Sequence, residues 1–136
     1  MFVHEYSKDF AEFASLEAAS NDVFIVRRIY VDMCDGDLVA GIVLGRIVYW
    51  HLPDRTGERA KLRVFKNDTW WLVRERGDWW DECRIRQKQV DRALAILRDH
   101  GYITTAYMLF NGKRTTHFPS TKVLSLLLIR NSQPNI

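Results

Sequence analysis

Trp70 to Phe118 reads WWLVRERGDWWDECRIRQKQVDRALAILRDHGYITTAYMLFNGKRTTHF, and the run from Gln87 to His100 decides how it folds. There the apolar residues Val90, Ala93, Leu94 and Leu97 fall at i, i+3, i+4 and i+7, which predicts a helix with one buried face. Gly101 follows as the residue that most easily takes the left-handed conformation ending a helix. Asn111-Gly112 lies between Ala106–Phe110 and Lys113–Phe118, so two strands joined by a tight turn are expected. Upstream, Trp70–Val73 reads as a strand, Arg74–Glu82 as a helix, and Cys83-Arg84-Ile85 as a turn with Ile85 directed inward.

Strand, helix, turn, helix and hairpin in this order predict an α+β, mainly helical protein: a winged helix-turn-helix with an N-terminal helical extension and a small antiparallel wing. The run from about Val39 to Phe118 resembles the winged-helix domains of replication-initiation proteins carried by phages, plasmids and integrated elements. The residues that carry the resemblance are the apolar helix ending in IVYW (Ile47 to Trp50), the DWWDEC helix, the RQKQVDRALAILRDHGYI helix and the basic hairpin. In that family a Ser or Thr caps the second helix, whereas Arg86 stands here. The resemblance implies double-stranded DNA as partner, with a helicase or helicase loader as a further one.

In such a fold the second helix enters the major groove by its N-terminal end. The residues expected at that surface are Arg86, Gln87, Lys88, Gln89 and Arg92, with Arg84 in the turn. Arg and Lys donate to guanine or phosphate, and Gln pairs with adenine. Asp91 is placed to orient Arg92 or to face solvent. Lys113 and Arg114 at the hairpin tip suit phosphate or minor-groove contact, and Lys61, Arg63 and Lys66 are weaker candidates for backbone contact. The ordinary reading of all these residues is a solvated polar surface. The charge distribution argues against it: residues 55–114 hold 14 Lys or Arg against 8 Asp or Glu, while the remainder holds 6 against 9. Basicity gathers on the expected reading module, although the whole chain carries only +3.

The 136 residues, 47% apolar and 27% charged, suit one domain. It divides into an N-terminal extension (1–36), a winged-helix core (37–118) and a C-terminal segment (119–136). Ser7 is expected to cap a first helix with Phe10, Phe13 and Ala14 on one stripe, ended by Asn21-Asp22. Val23–Val26 reads as a strand or a buried lead-in, and Arg27–Cys34 as a short helix. Asp35 or Asp37 caps the helix Leu38–Trp50, which has Arg46 as its one charge and Gly41 and Gly45 four residues apart. A helix so apolar belongs in the core, the alternative being a homodimer contact. Pro53 ends it and a polar loop follows. Leu62–Phe65 is a further strand, Thr121–Ile129 a helix or an extended apolar segment, and NSQPNI a frayed tail.

Adjacent tryptophans cannot both reach one surface point, so one member each of Trp70-Trp71 and Trp79-Trp80 is expected inside. Asp32, Asp35 and Asp37 lack the full calcium-loop pattern and read as turn and cap residues. The histidines and the lone Cys34 and Cys83 have no metal-ligand spacing, and no cofactor is expected. Two unpaired cysteines fit a reduced, cytoplasmic setting, and neither a signal peptide nor a membrane span is read. No nucleophile elbow or phosphate-binding glycine loop occurs, so a binding protein is expected and not an enzyme. The alternatives to an initiator are a winged-helix transcriptional regulator and a protein-interaction module that does not bind DNA.

Overall fold

A computed structural model describes residues 8–131, which form six helices and four strands. They are α1 (Lys8–Ala19), α2 (Arg28–Met33), α3 (Leu38–His51), β1 (Val64–Lys66), β2 (Thr69–Arg74), α4 (Asp78–Cys83), α5 (Gln87–Asp99), β3 (Ala106–Phe110), β4 (Lys113–Pro119) and α6 (Ser120–Asn131). The fold is α+β, about half helix, with one four-stranded antiparallel sheet in the order β1-β2-β4-β3. The sheet is larger than the expected small hairpin because β2 pairs along β4, Leu72 opposite Phe118 and Arg74 opposite Thr116.

The core is built on α3. Ala40, Val43, Leu44 and Ile47 are fully buried, and the helix packs on both α2 and α5. Asp37 caps it, its carboxylate accepting from Ala40 N–H at 3.0 Å, while Asp35 takes the left-handed conformation (φ 56°) in the preceding turn. Gly41 lets α2 approach: a Cβ there would lie 2.6 Å from Val31 Cα. From α5 the four residues of the predicted stripe, Val90, Ala93, Leu94 and Leu97, are all buried. Phe118 and Leu72 seal the sheet side, and Val123 and Leu126 add α6 to the same cluster.

Several expectations are corrected. The helix predicted to begin at Arg74 begins at Asp78, because Arg74 continues β2 as the partner of Thr116 and Glu75–Gly77 then turn the chain. Val23–Val26 is neither strand nor buried: Val23, Ile25 and Val26 are exposed and only Phe24 packs against the core. Strand β1 starts at Val64, two residues later than predicted. The segment after Pro119 resolves as helix. The predicted Ser7 cap and the tail beyond Asn131 lie outside the described residues.

Candidate nucleic-acid interface

Helix α4 ends when Arg84 turns left-handed (φ 58°), which reverses the chain into α5. A non-glycine residue pays for this conformation in local strain, and here its side chain works at the same corner. Arg84 Nη1 donates to the Trp80 and Asp81 carbonyls at 2.8 and 3.2 Å, closing the C-terminal end of α4. Arg84 therefore serves the turn itself. Arg86, two residues on, stays exposed, with its guanidinium carbon 4.7 Å from the Trp80 ring centroid. Such a contact attracts the cation to the ring without neutralising it.

The unusual residue at the start of α5 is compensated from inside the helix. Arg86 has no acceptor and cannot cap, but Gln89 Oε1 accepts from Arg86 N–H at 2.9 Å. One atom of Gln89, expected to read bases, is thus committed to the helix terminus. Gln87 is also held: its Nε2 donates to Asp91 Oδ1 at 2.8 Å. The alternative of Asp91 orienting Arg92 is replaced, since Arg92 pairs at 2.7 Å with Asp37, the α3 cap. That guanidinium, hydrogen-bonded to Asp37, holds the Asp37 carboxyl below the usual carboxylate range. Arg92 is still 64% exposed, so it can face a ligand, but with part of its charge already matched. Lys88 is exposed on the same helix with no ion pair or hydrogen bond among the described residues.

Lys113 and Arg114 open β4 and are both exposed. Their separation in sequence from α5 is erased by the fold: Gln87 and Asp91 of α5 and Lys113 and Arg114 of the hairpin line one cavity of about 610 Å³. Arg76, from the loop read as helix, lines it too. The structure thus brings two of the predicted basic groups to one concave surface.

The remaining cationic candidates are spent on the fold. Lys61 Nζ donates to the carbonyls of Tyr49, Leu52 and Pro53, closing the end of α3, and lies 4.0 Å from the Tyr49 ring centroid. Lys66 reaches Leu109 O at 2.7 Å and ties β1 to β3. Arg63 bonds back to Ala60 and Leu62. One member of the Trp79-Trp80 pair is inside as expected, Trp79 in the core beside exposed Trp80, whereas in the other pair Trp71 is only half-buried and outside the core, donating to Lys66 O beside exposed Trp70.

A buried ionic network behind the surface was not legible in advance. Glu82 of α4 receives Arg46 from α3 at 2.9 Å, Arg74 from β2 at 2.6 Å and Trp50 Nε1 at 2.9 Å. Arg46, Arg74 and Glu82 are separated by many residues, so no local spacing announces them. The network fixes α4, and through its turn the start of α5, to α3 and the sheet. Both thiols are buried, and burial pushes the Cys34 and Cys83 thiols up to about 11, far from a reactive range. Among the described residues no group of three or more His, Cys, Asp or Glu could hold a metal ion, and no helix is long and apolar enough to cross a membrane. No protein-family model, no curated protein and no solved structure matches this chain.

Proposed function

We propose that the protein binds double-stranded DNA as a winged helix-turn-helix, α4 and α5 forming the helix pair and the β3–β4 hairpin the wing. The observation that supports it is the single cavity shared by the start of α5 and the Lys113-Arg114 hairpin tip. In this reading the α5 N-terminus enters the major groove with Arg86 and Lys88 leading, because these two cations are exposed and unneutralised. Gln89, Gln87 and Arg92 act from more constrained positions, and Lys113 and Arg114 grip phosphate. Binding, not chemistry, is the mechanism. The role we assign, as initiator or accessory protein of mobile-element replication with a helicase or its loader as partner, rests on the sequence resemblance, and a cytoplasmic setting rests on the two unpaired cysteines.

Arg86→Ala with Lys88→Ala tests the reading helix. The expected result is duplex affinity weakened in a protein that melts normally; unchanged affinity removes α5 from the DNA surface. A transcriptional regulator using the same module would footprint as two half-sites about one helical turn apart. A protein-interaction module is favoured by one feature: α1 buries none of its residues and leaves Phe13 and Leu16 58% and 73% exposed. Absence of duplex binding at low salt would select it.

A further inference from the structure

The 610 Å³ cavity between α5 and the hairpin continues into a second, of about 280 Å³, and the two share Asp91, Leu94, Tyr107 and Thr116. They make one elongated groove. Its helical wall is a single stripe of α5, Gln87, Asp91, Leu94 and Arg98 at i, i+4, i+7 and i+11. Its other wall is the hairpin, where Tyr107 pairs in register with Thr116, and Lys113, Arg114 and Thr115 line the end toward the turn. Tyr107 is 65% exposed, an unusual amount for an aromatic ring on a sheet face.

At the end nearest the start of α5, Arg76, Lys113 and Arg114 line the groove. The Arg76 and Lys113 side chains make no ion pair or hydrogen bond among the described residues, and the Arg114 side chain makes one, donating to Tyr107 O at 3.2 Å. Two carboxylates, Glu75 and Asp91, line the same cavity, the second accepting from the neutral Gln87 amide, so these three cations exceed the facing anions by one. The floor is apolar, with Val90 and Phe118. The groove therefore joins an end with a small excess of positive charge to an apolar bed, and because it runs along α5 from Gln87 to Arg98 it suits an extended polyanion better than a compact ligand.

DNA geometry supplies the occupant. If α5 enters the major groove while the hairpin reaches the adjacent minor groove, the strand dividing those grooves must pass between the two elements. We propose that this groove seats one sugar–phosphate strand of the bound duplex, Arg76 contacting a phosphate and Tyr107 lying against a deoxyribose; this rests on the DNA-binding reading above. Neither residue stands out in the sequence, since Arg76 falls in a segment read as helix and Tyr107 in a hairpin strand.

The test uses the whole protein and a fluorescent random-sequence duplex, with affinity measured across a salt series. Arg76→Ala is expected to weaken binding roughly five- to tenfold at low salt and to reduce the slope of log affinity against log salt by about 0.9, the share of one phosphate. Arg76→Lys should restore most of the slope. Tyr107→Ala should weaken binding with the slope unchanged, because it removes contact area and no charge. Both side chains are exposed, and unchanged melting of the variants checks the fold. Unaltered affinity and slope in both alanine variants, while Arg86→Ala with Lys88→Ala still weakens binding, would overturn the groove and leave the DNA reading standing. Failure of the unaltered protein to bind duplex would overturn both.

Discussion

Arg46 of α3 and Glu82 of α4 form a 2.9 Å ion pair between side chains that are only 11% and 14% exposed. The other Glu82 oxygen holds Arg74 of β2 at 2.6 Å, so one carboxylate answers two guanidinium groups. Their remaining surroundings are aromatic, with Arg46 4.0 Å from the Tyr49 ring centroid and Arg74 5.0 Å from that of Trp79. Two cations beside rings and one anion form a unit that fails if its centre is removed.

Glu82→Ala is therefore expected to destabilise the protein by about 3–5 kcal/mol, because it strands two desolvated cations. Against a total stability on the order of 5–15 kcal/mol, that is a large fraction. Glu82→Gln keeps acceptors for Trp50 and one Arg and should cost less. Urea denaturation measures both; a loss below about 1 kcal/mol for Glu82→Ala would show that the network does not hold the helix pair in place.

Two glycines on α3 should respond with opposite signs. At Gly41 a methyl group would meet the Val31 backbone at 2.6 Å, whereas at Gly45 its nearest neighbour is Tyr30 Cδ2 at 3.4 Å. Gly41→Ala gains about 1 kcal/mol of helix propensity but must push α2 away, at about 1–3 kcal/mol, so a net loss is expected. Gly45→Ala should keep most of the propensity gain. Thermal melting of the two variants decides it, and a stabilised Gly41→Ala would contradict the close packing of α2 on α3.

Acidification should weaken the fold. His117 is fully buried, its Nδ1 donating to Thr115 O at 2.7 Å while Nε2 has no partner. His51 repeats the arrangement on Ile47 O at 2.8 Å, and its Nε2 is likewise unpartnered. Burial lowers both pKa values, with Lys66 adding to the effect at His117. Their contribution is complete above the unfolded value of about 6.5 and is lost as pH falls through the folded values. His100 has the opposite sign: the Ile96 carbonyl and Asp35 raise its pKa, so its contribution is present below about 6.5 and lost as pH rises through the folded value. That group is exposed and screened, and its share is smaller. The urea midpoint should fall between pH 7.5 and 5.5, less steeply in His117→Phe; a midpoint that rises on acidification would refute the assignment of neutral buried imidazoles.

What could be read in advance was local and periodic. The α5 stripe was legible because four residues repeat the helical period, and the β3–β4 hairpin because Asn111-Gly112 supports the two left-handed conformations its turn adopts, φ 51° and 80°. The start of α4 was misplaced because Arg74 is as compatible with helix as with strand, and only pairing with Thr116 decides between them. Val64–Lys66 was shifted for the same reason. Within the candidate interface, the exposure of Arg86, Lys88, Lys113 and Arg114 was legible from pattern. The commitments of Arg84, Gln89 and Lys61 to helix ends were not, since a cationic or amide side chain in a sequence gives no sign of which carbonyl or N–H lies within its reach. The Arg92–Asp37 pair and the Glu82 network join distant segments and belong to the fold alone.

The measurement that bears most directly on the central claim is the binding of a random-sequence duplex to the purified protein across a salt series. The account predicts log affinity falling linearly with log salt, at about 0.9 per neutralised phosphate. It also predicts a shallower slope for Arg86→Ala with Lys88→Ala, and again for Lys113→Ala with Arg114→Ala, because the first pair removes exposed cations from the start of α5 and the second removes them from the cavity beside it. No binding at low salt, or binding indifferent to salt and to all four substitutions, would contradict it.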